Sequence, residues 1–313
     1  MTRQHHDQEA DARASAASGT TAMPRPIAVG VNETPGSQLA LRWAVEAARL
    51  HQRPLKVILV ADPAPASHYY PYTPPGSSET FVLQGPSPAH RTSEAFERAV
   101  AYAEDRLPAD AVTGVHTPGR TTAVLIDASR NAGMLVVGSR GRSAVSAAML
   151  GSVSATVAAR ASCPVTVVRS SDLVLDGHRR VVVGVDGSQD SEDALEIAFR
   201  EASVRKLPVT VVHCWADLKD EPPGSEAIFG RRLPAVVRKL AEYREQWPDV
   251  NATTLLLRGD PAIRLLEESL GAELLVVGSR GRGRISGPLL GSVSQDLLRQ
   301  AHCPVVVAHR QEH

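Results

Sequence analysis

Two stretches of this chain, "VVGSRGRSAVSAAMLGSVS" over residues 136–154 and "VVGSRGRGRISGPLLGSVS" over residues 276–294, are one phrase written twice, 140 residues apart. Nothing else constrains the fold as strongly, because self-similarity at a fixed long spacing means one structural unit built twice. Gly119 and Gly259, Cys163 and Cys303, and Pro164 and Pro304 keep the spacing of 140. "IAVGVN" (residues 27–32) and "VVVGVD" (residues 181–186) are instead 154 apart, as are Pro54 and Pro208. The first copy therefore carries 14 residues that the second lacks, somewhere between Pro54 and Gly119. The proline-rich, tyrosine-bearing segment "ADPAPASHYYPYTPPGSSETFVLQGPSP" (residues 61–88) is where they are expected.

Each copy alternates short apolar runs with amphipathic stretches. In the second, "RVVVGV", "PVTVVHCW", "NATTLLLRG", "AELLVVGS" and "CPVVVAHR" read as strands from their continuous apolar, β-branched content. Between them, "SEDALEIAFREASVR" and "PAIRLLEESL" repeat apolar residues at helical spacing. Ser188 or Ser191 is placed to cap the first of these helices, and Pro261 lies in the first turn of the other. A further helix is expected to begin near Ser292. "EAIFGRRLPAVVRKLAEYREQ" reads as helical in its later part, with a break or a helix start at Pro234. Strands alternating with helices imply a parallel sheet covered on both faces. The expected fold is α/β: two tandem doubly wound, Rossmann-like domains, each with a five-stranded parallel sheet. Residues 1–24 read as a disordered tail, 25–170 as the first domain, 171–178 as a linker and 179–311 as the second domain.

Composition narrows the function classes. Lys plus Arg and Asp plus Glu balance at 34 each, which speaks against a dedicated nucleic-acid binder or a polybasic membrane binder. No apolar run reaches the roughly 20 residues that span a bilayer, and the polar N-terminus lacks the apolar core of a secretory signal. Three cysteines without a CxxC indicate neither a disulfide framework nor a structural zinc site. A cytoplasmic setting is the simplest reading.

The doubled phrase carries the candidate chemistry. Gly138 and Gly278 each end a valine-rich strand, and in open parallel sheets ligands sit beyond the carboxyl ends of the strands. Gly141 and Gly281 close the turn that follows. Gly151-Ser152 and Gly291-Ser292 then precede a helix, whose unpaired N–H groups suit phosphate. Ser152, Ser154, Ser292 and Ser294 offer hydroxyl donors, and Arg140, Arg142, Arg280, Arg282 and Arg284 lie along the arm between the glycines. The alternative is that these are turn and cap glycines only. No Walker A loop occurs, and the glycines follow the fourth strand rather than the first, unlike a dinucleotide fingerprint.

G-x-x-G, nine residues, then G-S, after a late strand of a small α/β domain, resembles the nucleotide-binding signature of the universal stress protein family. "VGVDGS" over residues 183–188 resembles that family as well, and so does the "CPV" opening each last strand, at Cys163 and Cys303. The likeness spans roughly residues 25–310 and both copies. It implies an adenine nucleotide site, usually for ATP, with or without Mg2+, and domains that pair through their last strands. One chain then forms an internal pseudo-dimer. By position it implies nucleotide contacts in the second copy from Gly184, Val185, Asp186, Cys214, Val277, Gly278, Ser279, Arg280, Gly281, Gly291, Ser292, Val293 and Ser294. The matching first-copy positions are Gly30, Val31, Asn32, Val60, Val137, Gly138, Ser139, Arg140, Gly141, Gly151, Ser152, Val153 and Ser154. The first copy departs from the pattern at Asn32, which has hydrogen-bonding capacity but no anion, and at Glu33, which stands where Gly187 does.

Other conspicuous residues have plainer readings. Cys163 and Cys303 read as small buried residues at strand entry rather than as nucleophiles. His213 and Cys214 are chain neighbours on a strand, so their side chains point to opposite faces and make a poor metal pair. No catalytic base and no metal site are apparent. The resulting expectation is an ATP-binding, nucleotide-responsive regulator in the stress response, with at most slow ATP hydrolysis and an unidentified protein partner. Whole chains could associate further as a homodimer. The alternatives are an ATP-dependent adenylate-forming or ligase-type enzyme, and a duplicated scaffold without ligand.

Overall fold

A computed structural model of the chain describes residues 24–61, 69–79, 81–84, 88–139, 150–169, 179–215, 225–281 and 289–309. The linker over 171–178, all of the tail except Pro24, and Arg140, Gly141, Arg142, Arg282 and Arg284 lie outside the described residues.

The first half contains β1 (Ile27–Val31), α1 (Pro35–His51), β2 (Leu55–Ala61), β3 (Tyr69–Tyr72), β4 (Phe81–Gln84), α2 (Pro88–Glu104), β5 (Val112–Pro118), α3 (Thr121–Ser129), β6 (Met134–Gly138), α4 (Ser152–Arg160) and β7 (Val165–Val168). The second half repeats the plan with β8 (Val181–Val185), α5 (Gln189–Arg205), β9 (Val209–Trp215), α6 (Ser225–Gln246), β10 (Ala252–Arg258), α7 (Pro261–Glu268), β11 (Leu274–Gly278), α8 (Ser292–Gln300) and β12 (Val305–Ala308). The insertion in the first half is not irregular throughout: β3 and β4 pair antiparallel as a two-stranded sheet of their own. Proline in "YYPY" hid that strand from a pattern reading.

All the remaining strands join in one ten-stranded sheet, ordered β10-β9-β8-β11-β12-β7-β6-β1-β2-β5. Within each half the neighbours are parallel. Where the halves meet, β12 and β7 run antiparallel, with Val305 opposite Val167, Val306 opposite Thr166 and Val307 opposite Val165. The edge strand that each half would otherwise expose is thus covered by its duplicate, which removes a template for uncontrolled pairing.

The sheet is buried on both faces because its strands alternate which helix layer they feed. Ala28, Val182, Leu275 and Val305 point to the layer of α3, α4, α7 and α8, and that core runs unbroken across both halves. Ile27, Val29 and Val31 point to α1 and α2, and Val181, Val183 and Val185 to α5 and α6. Trp43 of α1 packs against the cores on both sides of the boundary. Helix starts follow local chemistry. The Thr34 and Ser188 side chains cap α1 and α5, and Asp260 caps α7 by accepting from the N–H groups of Ala262 and Ile263.

One expectation is corrected. α6 runs through Pro234 rather than breaking or starting there. Proline removes the single hydrogen bond to the carbonyl four residues earlier. Burial of Leu240 and Tyr243 against the sheet holds the later turns of the helix in place. Among the described residues no helix is long and apolar enough to cross a membrane.

Candidate functional site

In each half the first strand is followed by a neighbour on one side and the fourth strand lies on the other, so the connections leaving them diverge to opposite faces of the sheet. A crevice opens at that switch point, beyond the carboxyl ends of β8 and β11 in the second half. It is a cavity of about 280 Å³.

Its walls are the residues singled out in the sequence. From the end of β8 come Gly184, Val185 and Asp186; from β9 comes Cys214; from β11 and its turn come Val277, Gly278, Arg280 and Gly281. The start of α8 supplies Gly291, Ser292, Val293 and Ser294. Ser279 is not on the wall. It is 5% exposed, and its hydroxyl turns away to donate to Asp190 at 2.7 Å. Ser191, Val212, Pro261, Leu265 and Leu289 also line the cavity and were not identified from the sequence. Leu265 of α7 forms the apolar floor: a Cβ on Gly184 would lie 2.8 Å from its Cδ1, so any larger residue there would force the Leu265 side chain to shift.

Gly278 is required for a similar reason. A Cβ there would meet the backbone of Asp190 at 2.9 Å, and at Gly138 it would meet the Gly36 carbonyl oxygen at 2.6 Å. The first turn of the helix that follows the first strand is thus pressed against the end of the fourth strand in both halves. Ser294 donates its hydroxyl to the Gly278 carbonyl at 2.7 Å, and Ser154 donates to Gly138 at 2.6 Å. These two hydroxyls therefore tie helix starts to strand ends. The Gly291 N–H donates to the Ser279 carbonyl at 2.9 Å, and the Gly151 N–H to Ser139 at 2.8 Å. The first bond inside α8 runs from Gln295 to Gly291, so the N–H groups of Ser292, Val293 and Ser294 precede the intrahelical ladder. No side chain caps α8 or α4, in contrast to α1, α5 and α7.

Asp186 takes part in an Asx turn, its Oδ1 accepting from the Ser188 N–H at 2.9 Å. Its other oxygen faces Gly281, where a Cβ would lie 2.8 Å away. Gly187 follows with φ +80°, a left-handed conformation suited to glycine. Cys214 is half-buried at the wall, and burial pushes its thiol up to about 11, so it is not a thiolate at neutral pH. Cys163 and Cys303 are buried, with the Cys163 thiol pushed up to about 12 by burial. His213 is buried, and its Nδ1 donates to the Val185 carbonyl at 2.8 Å, which props the end of β8 rather than the cavity.

The first half places Gly30 and Val31 at the end of β1, Asn32 just after it, Val60 in β2, and Val137 and Gly138 at the end of β6. Ser139 is buried beyond β6, and Gly151, Ser152, Val153 and Ser154 open α4. The turn after β1 differs. Asn32 Oδ1 accepts from both the N–H and the hydroxyl of Thr34, at 2.9 and 2.6 Å. Glu33 has no positive φ and accepts from Thr92 of α2 at 2.6 Å.

Comparison with known proteins agrees with this architecture. The sequence profile of the universal stress protein family matches residues 23–169 and again residues 177–309. Universal stress protein Rv2623 of Mycobacterium tuberculosis is 35% identical over 287 residues, covering 90% of this chain and 95% of that protein. A universal stress protein of Mycolicibacterium smegmatis is 39% identical over 290 residues, covering 90% and 96%. The crystal structure of a universal stress protein from Archaeoglobus fulgidus superimposes with a TM-score of 0.63 at 21% identity, covering 92% of this chain and 99% of that one; at that identity the likeness speaks for the fold.

Proposed function

The chain belongs to the universal stress protein family as a tandem of two such domains, and on that premise we propose that it binds an adenine nucleotide, ATP foremost, in the crevice of the second half and acts as a nucleotide-responsive regulator. The observation that carries this reading is the meeting of three features in one cavity. These are the N–H groups of Ser292, Val293 and Ser294 ahead of the α8 ladder, the cationic residue Arg280, and an apolar floor of Val212 and Leu265 between β9 and α7. The helix start and Arg280 favour phosphate. The apolar floor accepts a flat base, and the Asp186 carboxylate at the end of β8 is an acceptor for a sugar hydroxyl.

Binding that changes the shape or partner affinity of the chain requires no turnover, so the proposed role is regulatory. Calorimetric titration of the purified full chain with ATP, with and without Mg2+, tests it, together with assay of adenine nucleotide released on denaturing protein purified without added nucleotide. Saturable uptake of ATP is expected. Absence of both uptake and released nucleotide would overturn the reading, and stoichiometric conversion of ATP to an adenylated product would move the protein to the ligase class.

A further inference from the structure

We propose that Asp190 is a positioning residue that sets the second site's preference for phosphorylated adenine ligands over the bare nucleoside, by fixing the turn from Ser279 to Gly281 before ligand arrives. The inference rests on the nucleotide reading of that crevice and deepens it.

Asp190 lies in the first turn of α5, the turn that abuts the end of β11. A single oxygen, Oδ2, gathers three donors from one short segment: the Ser279 hydroxyl at 2.7 Å, the Arg280 N–H at 3.1 Å and Arg280 Nε at 3.4 Å. Ser279 is also held by its backbone. Its N–H donates to the Ala308 carbonyl at the end of β12, and its carbonyl accepts from Gly291 at the start of α8. Asp190 is thus the side-chain member of a three-way anchor on the residue that introduces the turn. Past that anchor, Arg280 and Gly281 line the cavity. An isolated carboxylate beside a phosphate site would repel the ligand. Here the guanidinium of Arg280 answers its charge and is held to it through Nε.

The first half supplies an internal control. Ser139 is equally buried, donates its N–H to Val168 and accepts from Gly151, so the backbone part of the anchor is intact there. Position 36, equivalent to 190, is glycine. The same strand end and helix start are therefore built without a carboxylate, and the fold does not need one. The hydrogen bonds that Asp190 adds go to the turn facing the phosphate end of the crevice.

Substitution in the full chain separates this role from a merely structural one, with the unchanged first half as reference. Asp190→Gly recreates the first half's arrangement. It is expected to weaken ATP binding at the second site about tenfold and to leave adenosine binding within about twofold. Asp190→Asn keeps an acceptor for Ser279 and the Arg280 N–H, and is expected to retain ATP affinity within about threefold. An unchanged ratio of ATP to adenosine affinity in Asp190→Gly would overturn the proposal, and so would an Asn variant as impaired as the Gly variant. Failure of the unaltered protein to bind either ligand would instead strike at the nucleotide reading itself.

Discussion

Arg169 and His309 occupy equivalent positions, one residue beyond β7 and β12, and each reaches across the boundary into the other half's last helix. Arg169 Nη1 donates to the Leu298 carbonyl of α8 at 2.8 Å, and His309 Nε2 donates to the Ala158 carbonyl of α4 at 2.8 Å. Leu298 and Ala158 are themselves equivalent. The halves therefore exchange clasps, and each clasp grips a helix whose opposite end opens a candidate site. The two arms differ in one respect: the guanidinium keeps its charge at every accessible pH, whereas the imidazole titrates.

That difference predicts an acid-sensitive boundary. His309 is partly buried. Burial pushes its pKa below the ordinary value near 6.5, a shift opposed by its bond to Ala158 and by Asp190 and reinforced by Arg280. A depressed histidine contributes stability that is fully present above about pH 6.5 and is lost as pH falls through the folded-state value. Thermal denaturation of the full chain between about pH 7 and pH 5 should show this loss, and His309→Gln, which keeps a donor but does not titrate, should flatten it. An unchanged pH profile in the Gln variant would show that the acid sensitivity arises elsewhere.

On the other helix layer the boundary is held by a buried ionic group. Glu201 of α5 is 1% exposed; it lies 2.8 Å from His51 Nε2 of α1 and 3.1 Å from Arg205 Nε, whose guanidinium also lies over the Trp43 ring. Burial alone would raise the Glu201 carboxyl, but the bond to His51 and the charge of Arg205 hold it below the ordinary range. His51→Ala removes one partner of a buried carboxylate and is expected to cost about 3 kcal/mol. Urea denaturation measures it, and a loss under about 1 kcal/mol would mean that Arg205 alone satisfies the group.

Much of this was legible before any coordinates. Valine runs at two fixed offsets revealed ten strands in two parallel sets, and an apolar last strand with its own duplicate in the chain foretold that Val165–Val168 and Val305–Val307 run antiparallel, though not their register. The cavity walls were legible because glycines at strand ends answer to backbone crowding, a local and repeated demand. What escaped depends on contacts between distant segments. Asp190 reads as an ordinary acid in a helix's first turn until α5 is seen pressed on β11. Leu265 reads as one core position among many until α7 closes over Gly184. The hydroxyls of Ser154 and Ser294 suggested ligand donors, but whether they face a strand carbonyl or a phosphate depends on the distance between two elements.

The turn after the first strand predicts unequal sites. The Thr34 N–H can only donate, so Asn32 must present its Oδ1 there, and its amide nitrogen takes the place that the second oxygen of Asp186 holds. A donor thus replaces an acceptor, and a charge is lost. In the full chain, Asp186→Asn should weaken ATP binding at the second site by about tenfold, or about 1.4 kcal/mol, and reduce its dependence on Mg2+. Asn32→Asp should change the first site in the opposite direction. Equal affinity and equal magnesium dependence in all three proteins would remove the carboxylate as the discriminating group.

Gly281 and Gly291 separate steric from ligand effects. A Cβ at Gly281 would lie 2.8 Å from the Asp186 carboxylate, whose other oxygen is fixed by Ser188, so Gly281→Ala disturbs the protein before any ligand enters. Gly291 is different. It has φ −65° and ψ 156°, open to any residue, and a Cβ there would approach no described heavy atom closer than 3.5 Å. Gly291→Ala should therefore fold normally, with a stability change under about 1 kcal/mol from the altered helix cap. Its methyl would nonetheless sit beside Arg280 and Gly281, where phosphate is expected to meet the start of α8. ATP affinity at the second site should fall at least about tenfold while adenosine affinity holds. Calorimetric titration of the folded variant with both ligands decides the point: if ATP binds Gly291→Ala as it binds the unaltered chain, the phosphates do not lie at the start of α8.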